Sequence, residues 1–275
     1  MRGESVTILL YHGVDSGEAS FGNAHPHRSE YILSQPRFEE HVGYLQARRW
    51  RVLPLHECAG RLAAGETLRN AVVLTFDDGE ASCYHTIAPI LERCGLRGDF
   101  FIVSRLIGAP GYLTAGQIKE LSGRDHGIHS HSASHRSLTL LDHQELEDEV
   151  KGSKERIETV TGKAVSFLSV PNGAYNRRVL EAARRAGYQK VLSSVEGYNG
   201  TRHGSFVLKR FAMRSYTQTQ RLAAICEHQF TTSCQLALKH AVTQTLKSVL
   251  TVQGYDWLRS RIVARMSRNV TAPRR

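Results

Sequence analysis

A chain of 275 residues, 41% hydrophobic and 23% charged, has the composition of a soluble globular protein and the length to bury a full core. Five cysteines, odd in number and without a CxxC pair, argue against a disulfide framework and a cysteine-built metal site. The net charge of +10 leaves room for an anionic partner, although a solvated basic surface explains it as well.

The first apolar run, "VTILLYHGV", reads as a strand over Val6 to Tyr11; it is too short to span a membrane. The start of the chain lacks the apolar core and small-residue cleavage site of a secretory signal, so cytoplasmic residence is expected, at most peripheral to the inner membrane face. A polar loop follows from Gly13 to about Ser34. Phe38, Val42 and Leu45 then recur at helical spacing. "VLPL" and "AVVLTF" are apolar runs without alternation, the pattern of strands buried on both faces.

"SCYHTIAPILERCG" reads as a helix closed by Gly95, and "LRGDFFIV" as the next strand. A helix at "TAGQIKELSG" leads to a short strand before "IHSHSASH". A long helix covers "LDHQELEDEVKGSKERIETVTG", followed by the strand "VSFLSVP", the helix "NRRVLEAARRAG" and the strand "YQKVLSS". Six or more strands alternating with helices predict a parallel sheet, and a barrel-like α/β fold rather than an open one. After about Thr217 only helical patterns remain. Residues 226–275 carry eight Lys or Arg against Glu227 and Asp256. The stripes Leu238, Val242, Leu246 and Leu258, Ile262, Met266 predict a basic helical extension. Docking on the barrel is the leading reading, with contact to an anionic membrane surface as the other.

Two clusters carry chemistry. In "VVLTFDDGE", Asp77 and Asp78 are adjacent at the end of a strand, where successive side chains point in different directions. A strand-end Asp-Gly turn explains one acid and Gly79 but not both acids. Adjacent carboxylates repel unless a positive charge compensates them.

The second cluster, "HGIHSHSASHRSL", contains His126, His129, His131 and His135. If the "HSASH" stretch is a helical turn, His131 and His135 project side by side. Asp78, His131 and His135 then form a donor set for a divalent cation, zinc being expected and cobalt, nickel or manganese able to use the same ligands. Asp77 is left as the base that activates water, and His12, at the end of the first strand, as the proton donor to a leaving amine. A backbone N–H of the "PNGAY" turn is placed to meet the oxyanion. A phosphate-ester hydrolase built on two metals is disfavoured, since no second set of carboxylates is evident.

"TFDDG", "HSASH" and "SVPNGAYN", in this order and spacing over roughly residues 5 to 225, resemble the polysaccharide deacetylase family, carbohydrate esterase family 4 or NodB-homology domain. The resemblance implies a distorted (β/α)7 barrel over residues 1–225, with 226–275 as the basic helical extension. It also implies metal-dependent removal of N-acetyl groups from amino sugars, with Asp77 as base and Asp78, His131 and His135 as metal ligands. Pro171 and Gly173 match the third motif, which walls the substrate groove; Tyr11, Asn172 and Tyr175 join them as expected substrate contacts.

Two departures stand out. The family's third motif often carries an arginine that orients the catalytic aspartate, and Ser169 occupies that place here. The family's last motif, Leu-x-His after a late strand, has no match in context near the C-terminus, where "LKH" ending at His240 falls mid-helix; Leu10-Tyr11-His12 fits instead, as in a rearranged Tyr-His-x-Val subgroup, which implies His12 as general acid. "FVLKRFAM", where Arg210 follows a leucine-bearing strand, also resembles a late segment of that subgroup. An N-acetylated glycan is the expected partner and nucleic acid is not expected. The rival readings are a glycan-binding relative without catalysis and a hydrolase of small non-sugar amides.

Overall fold

A computed structural model describes residues 5–17, 30–201 and 205–228. In chain order its elements are β1 (Ser5–Tyr11), β2 (Val14–Asp15), β3 (Leu33–Ser34), α1 (Gln35–Ala47), β4 (Arg51–Val52), α2 (Leu55–Ala63) and β5 (Ala71–Phe76). Next come α3 (Ala88–Arg93), β6 (Asp99–Ile102), α4 (Ala115–Gly123), β7 (Gly127–Ser130), α5 (His143–Glu147) and α6 (Ser153–Thr161). The remainder is β8 (Phe167–Ser169), α7 (Arg177–Arg185), β9 (Lys190–Leu192), β10 (Asn199–Gly200), β11 (Val207–Leu208), β12 (Phe211–Ala212) and α8 (Thr219–Cys226).

The main sheet runs β10-β1-β5-β6-β7-β8-β9-β11, with β12 on β1 and β4 on β5. Apart from β10, which is antiparallel to β1, these pairings are parallel. The short segment holding β11 and β12 bridges the two ends of the wall: Val207–Leu208 pair with β9, and Phe211–Ala212 pair with β1. The result is the nearly closed, distorted barrel expected from the sequence, with crossover helices between its strands.

Alternation along the strands sorts the side chains into two cores. Val6 and Ile8 of β1, Ala71 and Val73 of β5, Phe101, Phe167, Leu192 and Leu208 form one buried cluster with α2. Helix α2 therefore plugs the barrel. Its Leu55, Cys58, Ala59 and Leu62 recur at helical spacing, and Pro54 sits at its N-cap. "VLPL" was expected to be a strand; only its first residue continues β4, because Pro54 cannot extend the ladder and instead opens the helix. The second core lies between the sheet and α1. There Tyr11, Phe38 and Phe76 pack with centroids 5.4 to 5.9 Å apart, and Phe100 continues the stack.

The long helix expected over residues 141–162 is present with a π-helical segment, Asp148–Gly152, between α5 and α6. Among the described residues no helix is long and apolar enough to cross a membrane. The chain divides into two compact units, Met1–Glu227 and His228–Arg275. The predicted basic helices at 238–246 and 258–266 lie outside the described residues.

Candidate active site

Strands β5, β7 and β8 deliver their last residues to one end of the barrel, opposite the α2 plug. At the end of β5 the Asp77 amide donates to the Tyr11 carbonyl, keeping the two strands in register for one more residue. The chain then turns through two left-handed positions, Asp78 (φ 79°) and Gly79 (φ 73°). The non-glycine residue there is an aspartate, one of the few types that tolerate it. This reversal sends the two neighbouring carboxylates into different surroundings.

Asp77 is buried and held by Arg210, whose side chain is 0% exposed. Arg210 Nη1 and Nη2 each donate to one Asp77 oxygen at 2.8 Å. The remaining donors go to the Ser193 carbonyl (3.0 Å), Thr75 Oγ1 (3.3 Å) and Ser169 Oγ (2.7 Å). Every N–H of the guanidinium thus has an acceptor. Ser169 passes the contact on, its hydroxyl donating to Asp77 Oδ2 at 2.8 Å. Burial would raise the Asp77 carboxyl, but the Arg210 charge and hydrogen bonds, with His131, outweigh it and hold the group below its ordinary value. Asp77 is therefore ionised.

Asp78 faces the histidines. His131 Nε2 and His135 Nε2 both lie 3.4 Å from Asp78 Oδ1, and the two rings are 4.9 Å apart. The three ligand atoms fall within 4.8 Å of one another. His131 Nδ1 donates to the Ser169 carbonyl at 2.8 Å, which places a proton on that nitrogen and leaves Nε2 as the atom facing Asp78. Burial would lower His131, yet the charges of Asp77 and Asp78 raise it. Two imidazole nitrogens and a carboxylate oxygen converging on one point fit a divalent cation of the zinc type.

The geometry differs from the expected helical turn. His131 follows β7 directly, and the "HSASH" stretch is an irregular loop with Ser132 (φ 63°) and His135 (φ 61°) left-handed. A Ser132 Oγ bond from the His135 amide (3.1 Å) folds it back, so the imidazoles meet through a loop reversal. His126 and His129 are not part of this cluster. His126 is paired with Glu92 at 2.9 Å, and His129 with the buried Asp99 at 3.0 Å, which also caps α2 through the Leu55 amide.

His12 reaches the same end of the barrel. Burial lowers its pKa, with Asp78 and Asp77 pulling the other way and His131 and Arg210 adding to the drop. Its Nδ1 is buried without a hydrogen-bond partner, and its ring packs 4.7 Å from Tyr31. Tyr11, expected to touch substrate, is not brought to the site. It is 1% exposed in the outer core, its hydroxyl 3.2 Å from His41 Nδ1, because neighbours on a strand face opposite sides. Pro171, Asn172 and Gly173 form a tight turn after β8, with Tyr175 39% exposed beyond it. A Cβ on Gly173 would meet Ser194 backbone at 2.6 Å, so glycine is required by space as well as by φ.

Arg210 is the residue that sequence reasoning noticed without assigning a part. The available signal was a charged residue inside "VLKRFAM", an otherwise strand-like run. In space it supplies the cation that Ser169 leaves missing.

A parallel barrel with an Asp-His-His cluster and a second, ion-paired aspartate at the carboxyl ends of its strands has the layout of α/β-barrel enzymes, whose chemistry sits at that end. Residues 64–191 match the sequence profile of the family described as Polysaccharide deacetylase. It is 28% identical over 204 residues to YxkH of Bacillus subtilis, covering 74% of this chain and 69% of that protein. It is 31% identical over 133 residues to the peptidoglycan-N-acetylmuramic acid deacetylase PdaA of the same organism, covering 48% of this chain and 49% of the relative. The fold is similar to that of the Streptococcus pyogenes deacetylase PplD solved in complex with acetate. That match has a TM-score of 0.73 at 21% identity and covers 82% of this chain and 99% of the other. Relatives named as peptidoglycan, chitin and chitooligosaccharide deacetylases make the family one of enzymes acting on N-acetyl amides.

Proposed function

We propose that the chain is a metal-dependent N-deacetylase that hydrolyses acetamido groups of an N-acetylated oligo- or polysaccharide. Asp78, His131 and His135 would hold the cation, with zinc the expected ion. The observation that carries this reading is the division of labour between Asp77 and Asp78: one is locked to Arg210, the other shares its oxygen with two imidazoles.

When bound, a divalent cation supplies Lewis acidity toward the amide carbonyl and toward water. The chain's own groups divide the proton work. Asp77, kept ionised by Arg210, takes a proton from the water whose oxygen bonds to the carbonyl carbon. The C–N bond then breaks as the leaving nitrogen takes up a proton through His12, which is resupplied by the one Asp77 removed from water, giving acetate and a free amino sugar. The Pro171–Gly173 turn and the exposed Tyr175 would flank the sugar. The serine in place of the third-motif arginine would favour a binding protein without catalysis; Arg210 at 2.8 Å from both Asp77 oxygens counters that reading.

Acetate release from chitooligosaccharides and from peptidoglycan fragments, with metal content measured on the same preparation, tests the proposal. Asp77→Asn is expected to lower turnover by about 10²- to 10⁴-fold, the usual worth of a general base. Undiminished turnover in that variant would reject the mechanism, and sugar binding without acetate release would reject the enzyme.

A further inference from the structure

Four acids crowd one turn and a half of chain, Glu145, Glu147, Asp148 and Glu149, and only Glu149 is buried, at 2% exposure. It lies in the π-helical segment Asp148–Gly152, whose widened turn interrupts the α5–α6 helix. Such insertions re-aim a side chain and concentrate at functional sites.

All the hydrogen bonds of Glu149 come from the loop between the two imidazoles. Its Oε2 accepts from the Ala133 amide at 3.0 Å and the Ser134 amide at 2.8 Å, and its Oε1 accepts from the Ser134 hydroxyl. Among the described residues no Lys, Arg or His lies within ion-pair distance of Glu149, so its charge is answered by those loop donors. The peptide pair it grips stands between His131 and His135. Ser132 and His135 hold the left-handed backbone that non-glycine residues keep only when their surroundings impose it.

We propose that Glu149 is a positioning residue for the cation site: its carboxylate clamps Ala133 and Ser134 and so fixes the separation at which both imidazoles face Asp78. The inference rests on the reading of Asp78, His131 and His135 as ligands. Glu149 acts through the loop and touches neither substrate nor cation.

The test is calorimetric titration of Co²⁺ alone into metal-stripped protein. Glu149→Ala is expected to weaken Co²⁺ binding by about tenfold or more, the range for a lost outer partner of a ligand. Glu149→Gln keeps an oxygen for both amides and is expected to bind close to wild type. Asp148→Ala is the control: it removes the 3.0 Å bond from Gln144 to an exposed acid of the same π-helical segment without touching the loop, and should leave affinity unchanged. Wild-type affinity in Glu149→Ala overturns the clamp, as does an equal loss in Asp148→Ala. Should Glu149→Ala not fold, Glu149→Asp takes its place, since its carboxylate falls one methylene short; unchanged affinity there overturns the clamp equally. Absence of Co²⁺ binding in the wild-type protein overturns the cation-site reading itself, whereas normal wild-type binding with an indifferent Glu149 overturns only this inference.

Discussion

Asp77 and Arg210 are 133 positions apart in sequence and share two hydrogen bonds, the arginine fully buried and the aspartate nearly so. A buried ion pair of this kind is a poor source of net stability, because desolvation of both charges offsets their attraction. Breaking it is a different matter. Arg210→Ala leaves a carboxylate in the barrel with the Ser169 hydroxyl bond and His131 at 3.8 Å but no guanidinium, and is expected to lower stability by about 3–5 kcal/mol. Adding Asp77→Asn to Arg210→Ala removes both charges and should restore much of that loss in urea unfolding. Additive losses in the double variant would show that the two charges are not coupled. Deacetylation should fail in all of these variants, so stability and activity separate cleanly.

At the scale of elements, helix α1 packs its apolar face on the barrel and adds one buried polar tie. His41 bridges the Tyr11 hydroxyl of β1 and, at 3.0 Å through Nε2, the Thr217 carbonyl beyond β12. Burial drives its pKa from 6.5 down to about 4, against the raising effect of the Thr217 bond. The folded chain therefore refuses a proton that the unfolded chain accepts below pH 6.5. Stability from this group is complete above that pH and is lost as pH falls toward 4, by roughly 2 kcal/mol at pH 5. Comparing urea midpoints at pH 7 and pH 5 checks this: the wild-type decline should be steeper than that of His41→Gln, and equal slopes would contradict it.

Most elements were legible because their periodicity survives folding: β5, α4, α7 and β9 fall where the apolar patterns put them. The exceptions have local causes. Pro54 turned an apolar run into a helix start. The His131–His135 spacing of four suggested a helical turn, while two left-handed residues reached the same juxtaposition by a loop. The parts played by Arg210 and Glu149 were beyond reach, since each acts on another segment that only the folded barrel brings to it.

For the whole molecule, a ligand that binds only the folded state adds its binding energy to folding. Adding Zn²⁺ or Co²⁺ at about a hundred times its dissociation constant to metal-stripped protein should stabilise it by about 2.7 kcal/mol. The rise in Tm should vanish in His131→Ala; a rise that persists there would place the ion elsewhere. Chelation should abolish acetate release without unfolding the barrel, whose apolar cluster around α2 owes nothing to the cation.

The stave that closes the barrel is also the one that brings Arg210 to Asp77. A nascent chain halted before residue 207 would already contain both acids, both imidazoles and the turn after β8, yet its Asp77 would have no guanidinium to meet. Catalytic competence in this molecule thus arrives last, with the final stretch of wall, and a fragment that merely contains the motifs is expected to stay silent.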